Sequence, residues 1–151
     1  MSTITGKNRN IQVLRGLSLN RSLLSCVPEG TKVDLWNTDD GSGRQEWDIT
    51  LVDGFTDVYN IKVSKGNSSD RVFLSCSRDG AKVDLWNTDD GSGRQRWQFV
   101  PISSNIPSYF QIKVVGGVDG GRVYLSCAQD GTNVDLWNTD DGSGRQRLQL
   151  Q

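Results

Sequence analysis

A segment of thirteen residues, VDLWNTDDGSGRQ, occurs three times in this chain without a single substitution. The copies begin at Val33, Val83 and Val134, at intervals of 50 and 51 residues, and three units of that length account for the 151-residue chain. Self-similarity at a fixed interval is the mark of a repeat architecture, in which each repeat is one supersecondary unit. The chain is therefore predicted to consist of three copies of one unit.

Each unit carries four short apolar runs, which are clearest in the middle unit. The runs are 59–63 (YNIKV), 71–76 (RVFLSC), 83–86 (VDLW) and 96–100 (RWQFV). Apolar and polar side chains alternate within them, and the gaps between them are rich in Gly, Asp, Asn and Ser, which is typical of half-buried strands joined by turns. No segment of ten or more residues shows a helical stripe, so the sequence predicts an all-β chain of twelve strands.

Three units of four strands restrict the architecture. A three-bladed propeller falls below the roughly four to eight blades that close around a channel, and solenoid repeats are usually shorter and need distinct polar caps. A β-trefoil closes with three units, each giving two strands to a six-stranded barrel and two to a hairpin cap, and closure removes exposed edge strands. We predict a single β-trefoil domain over residues 1–151, with pseudo-threefold symmetry. Its repeats are predicted at approximately 1–52 (repeat 1), 53–103 (repeat 2) and 104–151 (repeat 3). The terminal strands near Ile11 and Leu148 to Leu150 should lie side by side to complete the barrel.

Charge and composition argue against several kinds of partner. The 17 basic and 18 acidic residues nearly balance, and they form no basic stripe of the kind that binds nucleic acid. The N-terminal stretch MSTITGKNRNIQVLRG lacks the apolar core of a signal peptide, and no later run approaches the roughly 18 apolar residues of a membrane span. We therefore expect no nucleic-acid partner, no membrane insertion, and a location that is cytoplasmic or reached by unconventional secretion.

The three cysteines, Cys26, Cys76 and Cys127, occupy the same place in each unit, directly after Leu-Ser. Three symmetry-related thiols cannot all pair within one chain, so we expect them to be reduced and to face the interior. One cysteine per unit, with no histidine anywhere, lacks the usual spacing of metal ligands. The sequence predicts neither a metal site nor a cofactor.

A resemblance to a known family follows from the end of each conserved segment. The three motifs there are Gln45-Glu-Trp47, Gln95-Arg-Trp97 and Gln146-Arg-Leu148. The first two are similar to the QxW motif of the ricin B-type β-trefoil lectins, and the third departs from it while keeping an apolar residue. Because the motifs stand in register in all three repeats, the resemblance spans nearly the whole chain, and small near-threefold-symmetric fungal or invertebrate lectins are similar to it. The resemblance implies carbohydrate binding, and we expect Trp47 and Trp97 to be barrel plugs.

Strand alternation places an aspartate and a tryptophan on one outer face of each unit. If Val33 and Leu35 point into the core, Asp34 and Trp36 point outward together, because successive strand residues face opposite sides. The same alternation on the preceding strand turns Ser25 outward. Each unit would therefore gather a serine, an aspartate and a tryptophan beside a loop that ends in Arg-Gln.

This combination suits a sugar. The C–H face of a galactose-like ring can lie on an indole, while Asp34 accepts hydrogen bonds from neighbouring hydroxyls and Arg44 or Gln45 donates to ring substituents. The resemblance places Trp36 at the family's stacking position and Arg44 with Gln45 where the family has an Asn-Gln pair, whereas Ser25 stands where the family has a ligand-binding aspartate. The candidate carbohydrate-binding residues are Ser25, Asp34, Trp36, Asn37, Arg44, Gln45, Ser75, Asp84, Trp86, Asn87, Arg94, Gln95, Ser126, Asp135, Trp137, Asn138, Arg145 and Gln146.

Other interpretations of the conserved loop stay open. Asn and Asp favour turns and glycine permits positive φ, so Asp39 and Asp40 could serve only to shape the loop or to pair with Arg44. Trp36 could pack beneath the loop instead of contacting a ligand. Asn37, Asp39 and Asp40 crowd oxygen atoms as a calcium site does, although the spacing of an EF-hand is not met.

Among functional classes, a binding protein fits better than an enzyme. The chain has no histidine, and adjacent carboxylates in a polar turn lack the separated pair that a glycosidase needs. The alternative is a β-trefoil protease inhibitor, which would act through a single exposed loop, whereas identical loops argue for identical ligands. The sequence therefore predicts a multivalent lectin, or hemagglutinin, with three equivalent sites for galactose- or N-acetylgalactosamine-containing glycans on glycoproteins or glycolipids. A homodimer is compatible with that role.

Overall fold

The computed structural model describes residues 4–151, which form one sheet of thirteen strands and contain no helix that could span a membrane. The strands are β1 (Gly6–Arg9), β2 (Ile11–Val13), β3 (Leu23–Cys26), β4 (Val33–Trp36), β5 (Trp47–Leu51), β6 (Tyr59–Val63), β7 (Phe73–Cys76), β8 (Val83–Trp86), β9 (Trp97–Pro101), β10 (Tyr109–Val114), β11 (Tyr124–Cys127), β12 (Val134–Trp137) and β13 (Leu148–Leu150). All their pairings are antiparallel. The all-β prediction is confirmed, with β1 as one strand more than predicted.

Six strands form the barrel. They pair in the order β5, β6, β9, β10, β13 and β2. The ring closes through β1, which pairs with β5 and is separated from β2 by Asn10 alone. The predicted contact between the terminal strands is confirmed, because Leu148 lies opposite Val13 and Leu150 lies opposite Ile11.

The other six strands form three hairpins, β3–β4, β7–β8 and β11–β12, one from each repeat. A backbone hydrogen bond of 3.0 Å joins each hairpin to the next around a ring. The N–H groups of Leu35, Leu85 and Leu136 donate to the carbonyls of Gly131, Gly30 and Gly80, respectively. This cyclic cap over a barrel confirms the predicted β-trefoil.

A glycine at each hairpin turn permits close contact with the next repeat. Gly30 has a φ of +78°, and a Cβ there would lie 2.8 Å from the Cβ of Arg71 and 3.1 Å from its carbonyl oxygen. Gly80 and Gly131 approach Arg122 and Arg21 in the same way. A side chain would both strain this backbone and collide with the arginine backbone. Glycine at these turns therefore allows the backbone of each arginine to pack directly against the neighbouring hairpin.

The interior is built from the residues that alternation turns inward. Val33 and Leu35 are buried, and Trp47 is fully buried, with its indole N–H donating to the carbonyl of Leu24 at 2.9 Å. Trp97 makes the equivalent 3.0 Å bond to Leu74, and Leu148 fills the third position as a buried apolar residue. The predicted tryptophan plugs are therefore confirmed.

The three cysteines are buried and unpaired, as predicted. Burial raises the pKa of the thiols of Cys26, Cys76 and Cys127 to about 12, because a thiolate would lose its hydration there. The thiols are therefore protonated at neutral pH and behave as small apolar core residues.

Candidate functional site

Strand β4 presents Asp34 and Trp36 on the outer face of the cap, as alternation predicted. Trp36 is 38% exposed and Asp34 is half-buried. The copies on β8 and β12 repeat this arrangement, with Trp86 and Trp137 each 40% exposed. Exposure of a large aromatic ring at the same place in three repeats is unusual for a residue whose only task is packing.

An arginine that sequence reasoning missed lies against each of these tryptophans. The guanidinium carbon of Arg21 is 4.8 Å from the ring centroid of Trp36, Nη2 is 3.8 Å from Oδ2 of Asp34, and Nε donates to the carbonyl of Leu35 at 2.9 Å. Arg71 and Arg122 make the same three contacts in repeats 2 and 3. The signal was present in the sequence, because an arginine precedes the second strand at the same place in all three repeats.

Ser25 faces the same side of the hairpin as Asp34, its partner across the strands, but it is buried rather than exposed. The predicted exposure of this serine is therefore wrong. The reason is Gln45, whose side chain covers the hydroxyl and donates from Nε2 to Oγ at 2.9 Å. Ser75 and Ser126 are buried in the same way beneath Gln95 and Gln146.

Gln45 joins the hairpin to the conserved loop. The side chain is buried, and while Nε2 donates to Ser25, Oε1 accepts the backbone N–H of Asp40 at 3.1 Å. Gln95 and Gln146 make the same pair of bonds. The glutamine of the QxW-like motif thus holds the loop against the serine, and its amide is committed at both ends to the protein.

The loop itself is shaped by its aspartates. Oδ1 of Asp39 accepts the N–H of Gly41, and Oδ1 of Asp40 accepts the N–H of Ser42. Oδ2 of Asp40 is 4.0 Å from Nη2 of Arg44, and the hydrogen bonds from Ser42, with the charge of Arg44, lower the pKa of Asp40. The turn-forming and Arg-pairing interpretation of this loop is confirmed.

The other oxygen of Asp39 faces the barrel. Oδ2 of Asp39 accepts from Asn10 at 3.1 Å, and the corresponding oxygens of Asp89 and Asp140 accept from Asn60 and Gln111. In repeats 2 and 3 these oxygens also accept from Nε of Arg96 and Arg147, whereas repeat 1 has Glu46 at that place. Within residues 4–151, no three acidic or thiol side chains converge as the ligands of a metal ion would.

Asp34 differs electrostatically from the loop aspartates. Burial raises the pKa of its carboxyl, and the charges of Arg21 and Lys32 offset only part of that effect. Burial also raises the pKa of the carboxyls of Asp84 and Asp135, and the charges of Arg71 and Arg122 oppose that effect. A partly desolvated carboxylate is costly to maintain in the folded state, and a ligand hydroxyl that donates to it would recover part of that cost.

These side chains enclose a depression of about 200 Å³ in repeats 1 and 2, which we call the inner site. In repeat 1 it is lined by Ser25, Cys26, Val27, Pro28, Asp34, Trp36, Asp40, Arg44 and Gln45. In repeat 2 it is lined by Ser75, Cys76, Ser77, Arg78, Asp84, Trp86, Asp90, Arg94 and Gln95. The structure thus brings together the predicted serine, aspartate, tryptophan, arginine and glutamine. It adds the loop aspartate Asp40 or Asp90, and a rim that differs between the repeats, Val27-Pro28 or Ser77-Arg78.

The predicted asparagines lie elsewhere. Asn37 does not line the inner site of repeat 1, and Asn87 does not line that of repeat 2. Asn87 and Asn138 border separate clefts beside Trp86 and Trp137. The rim residues were missed because they vary, with Val27-Pro28 in repeat 1 where repeat 2 has Ser77-Arg78.

No protein-family model matches the chain, and no curated protein matches its sequence. Solved structures do match its fold. It is similar to ThreeFoil, a designed threefold-symmetric protein, with a TM-score of 0.68 and 20% identity over 94% of this chain and 96% of that one. SeviL bound to asialo-GM1 saccharide matches with a TM-score of 0.64 and 13% identity over 97% and 98% of the two chains.

Two further matches are longer proteins. The lectin of Polyporus squamosus, bound to the epitope Neu5Aca2-6Galb1-4GlcNAc, matches with a TM-score of 0.69 and 17% identity over 99% of this chain and 50% of that one. The exo-β-1,3-galactanase 1,3Gal43A of Clostridium thermocellum matches with a TM-score of 0.69 and 21% identity over 99% and 31%. At these identities the likeness shows a shared fold, the β-trefoil that lectins also adopt.

Proposed function

We propose that this protein is a carbohydrate-binding lectin with three equivalent sites, and that each site takes a galactose- or N-acetylgalactosamine-containing glycan. The observation that carries the proposal is the exposed tryptophan beside a partly desolvated carboxylate at the inner site, as at Trp36 and Asp34. The same pair recurs in all three repeats. Among the matching structures, the lectin of Polyporus squamosus is bound to Neu5Aca2-6Galb1-4GlcNAc and SeviL is bound to asialo-GM1 saccharide, which supports a glycan as the ligand class.

The inner site has the chemistry that a sugar requires. The indole of Trp36 offers a flat apolar surface for the C–H face of a ring, while Asp34 accepts hydrogen bonds from hydroxyls and Arg44 donates to them. Gln45 and Ser25 support the site indirectly. Their hydrogen bonds to each other and to the loop hold Asp40 and Arg44 at the rim. The depression is open and holds roughly one sugar ring, which suits binding at the end of a glycan chain.

Three such sites on one rigid body favour multivalent binding. A single sugar site is usually weak, but simultaneous engagement of several sites on a dense glycan surface raises the apparent affinity by roughly 10²-fold or more when the geometry allows. We therefore propose agglutination without catalysis. The three conserved loops share one conformation, with φ values of 82°, 82° and 84° at Gly41, Gly91 and Gly142, so none of them is singled out as an inhibitory loop.

A glycan array, read with and without EDTA, tests this proposal. The wild-type protein should bind galactose-terminated glycans in either condition, and a variant carrying Trp36→Ala, Trp86→Ala and Trp137→Ala should lose that binding while keeping its circular dichroism spectrum. The matched control is Phe55→Ala, which removes an exposed aromatic ring from the β5–β6 turn and should leave binding intact. Folded triple-mutant protein that still binds galactose, or wild-type protein that inhibits a protease and binds no glycan, would refute the proposal.

A further inference from the structure

A second cleft lies beside two of the three exposed tryptophans, and we call it the outer cleft. In repeat 2 it measures about 160 Å³ and is lined by Asp70, Arg71, Trp86 and Asn87. In repeat 3 it measures about 180 Å³ and is lined by Arg122, Trp137 and Asn138. Trp86 lines both the outer cleft and the inner site of its repeat, so a ligand in the inner site can extend past this ring into the outer cleft.

In each outer cleft the arginine guanidinium is held in place while some of its N–H donors make no hydrogen bond to the part of the chain that the structure describes. Arg122 donates from Nε to the carbonyl of Leu136 at 2.8 Å, lies 5.0 Å from the centroid of Trp137, and has Nη2 3.6 Å from Asp135. Within residues 4–151, Nη1 of Arg122 makes no hydrogen bond, and 38% of the side chain is exposed. Arg71 is held by the same contacts in repeat 2 and is 31% exposed. A fixed, accessible guanidinium edge suits an anionic oxygen.

The two outer clefts differ in charge because of the residue before the arginine. Asp70 borders the cleft of repeat 2, whereas the same position in repeat 3 is Gly121 and in repeat 1 is Asn20. Among the described residues, no acidic side chain lines the cleft of repeat 3, and Asp119 in the turn before Arg122 lies 3.5 Å from Arg78. Arg122 is paired with Asp135 as Arg71 is paired with Asp84, so the additional carboxylate of Asp70 is what distinguishes the cleft of repeat 2 from the cleft of repeat 3.

Resting on the proposed glycan binding, we propose that the outer clefts are secondary subsites and that the residue before the arginine sets their charge preference. The subsite of repeat 3 takes an acidic extension of the bound glycan, a carboxylate or sulfate group, and Asp70 makes the subsite of repeat 2 reject it. Repeats 2 and 3 then share one inner ligand but select different extensions. Two unit charges a few ångströms apart at a protein surface interact strongly enough to change affinity about three- to tenfold, and salt screens that interaction.

The five tryptophans allow each site to be followed separately. Trp47 and Trp97 are buried, so the indole N–H signals of Trp36, Trp86 and Trp137 in a ¹⁵N-labelled protein report on their own sites. The probes are lactose, its 3′-sulfate and its 3′-sialyl derivative, the last two supplying sulfate and carboxylate oxygens. Lactose should bind the sites of Trp86 and Trp137 within about twofold of each other, whereas both acidic sugars should bind the site of Trp137 about three- to tenfold more tightly at low salt.

Charge-exchange variants provide the decisive comparison. Asp70→Asn and Asp70→Gly should raise the affinity of repeat 2 for the acidic sugars to that of repeat 3, and Gly121→Asp should lower the affinity of repeat 3, with lactose binding unchanged in all of them. Gly121 tolerates a side chain, because a Cβ there would meet nothing closer than the Cβ of Asn138 at 4.0 Å. Asp53→Asn, in the β5–β6 turn, is the control for net charge.

Each possible result has a defined meaning. Equal binding of the acidic sugars at both sites, or Asp70 variants that change lactose and acidic sugars alike, would overturn the subsite proposal while leaving lectin function intact. A response to sulfate but not to the sialyl derivative would restrict the subsite to sulfated glycans. If no exposed indole signal responds to any of the three sugars, the proposed function itself fails.

Discussion

The buried and the exposed tryptophans of this chain show two different uses of one side chain. Trp47 and Trp97 are fully enclosed in the barrel, and their indole N–H groups are satisfied by backbone carbonyls. Trp36 and its two copies stand at the surface, where an arginine covers part of the ring. The buried position accepts leucine in repeat 3, at Leu148, because the barrel requires apolar volume there. The exposed position is tryptophan in every repeat, although the barrel does not need it.

The largest expected effect tests the buried half of this comparison. Trp47→Ala should lower the free energy of unfolding by about 3–5 kcal/mol, because it removes a large core side chain and leaves a cavity with an unpaired Leu24 carbonyl. Trp47→Leu, which copies repeat 3, should cost clearly less. Chemical denaturation followed by circular dichroism measures both. Equal losses for alanine and leucine would mean that the indole hydrogen bond, not the volume, is what repeats 1 and 2 require.

The next effect concerns the loop support. Gln45→Ala should destabilise the protein by about 1–3 kcal/mol, because the Ser25 hydroxyl and the Asp40 N–H each lose a buried partner. Sugar affinity at repeat 1 should fall with it, as Asp40 and Arg44 lose their fixed positions. The double variant Gln45→Ala with Ser25→Ala should be little worse than the single one, and additive losses in the denaturation midpoint would contradict the coupling.

The fold was predictable because its evidence is periodic and local. Alternation in Val33 to Trp36 predicts a strand, and the spacing of Trp47 and Trp97 predicts the barrel plugs. Because the strand patterns recur in the other repeats, a strand that is ambiguous in one repeat can be assigned from the others. The site was predictable only in part. The burial of Ser25 depends on Gln45, which lies twenty residues away, and the contact of Arg21 with the indole depends on how neighbouring hairpins pack. Alternation gives the side of a strand that a residue faces, and it cannot say what later covers that side.

A smaller effect tests the exposed half of the comparison. Trp86→Ala should change the free energy of unfolding by only about 0.5–1 kcal/mol, the magnitude of an exposed cation–π contact with Arg71. Thermal unfolding of this variant beside Trp97→Ala provides the test, since the two residues lie in the same repeat. A loss at Trp86 that approaches the loss at Trp97 would mean that the outer ring is structural.

The smallest expected effect concerns two aspartates of the same inner site, and here the sign matters more than the size. Burial raises the folded-state pKa of Asp34, so the stability associated with its protonated form is present below the ordinary carboxyl pKa and is lost as pH rises through the raised value. Asp34→Asn should therefore make the protein slightly more stable than wild type at neutral pH and no different in acid.

Hydrogen bonds from Ser42 lower the folded-state pKa of Asp40, so its stabilising contribution is present above the ordinary carboxyl pKa and is lost as pH falls through the lowered value. Asp40→Asn should accordingly be less stable than wild type at neutral pH, the opposite of Asp34→Asn. Denaturation curves for both variants at neutral and acidic pH measure this difference in sign. If Asp34→Asn stabilises the protein and abolishes glycan binding, Asp34 is a ligand-binding carboxylate that lowers the stability of the fold. If Asp34→Asn destabilises the protein, Asp34 belongs with Asp40 among the residues that shape the site.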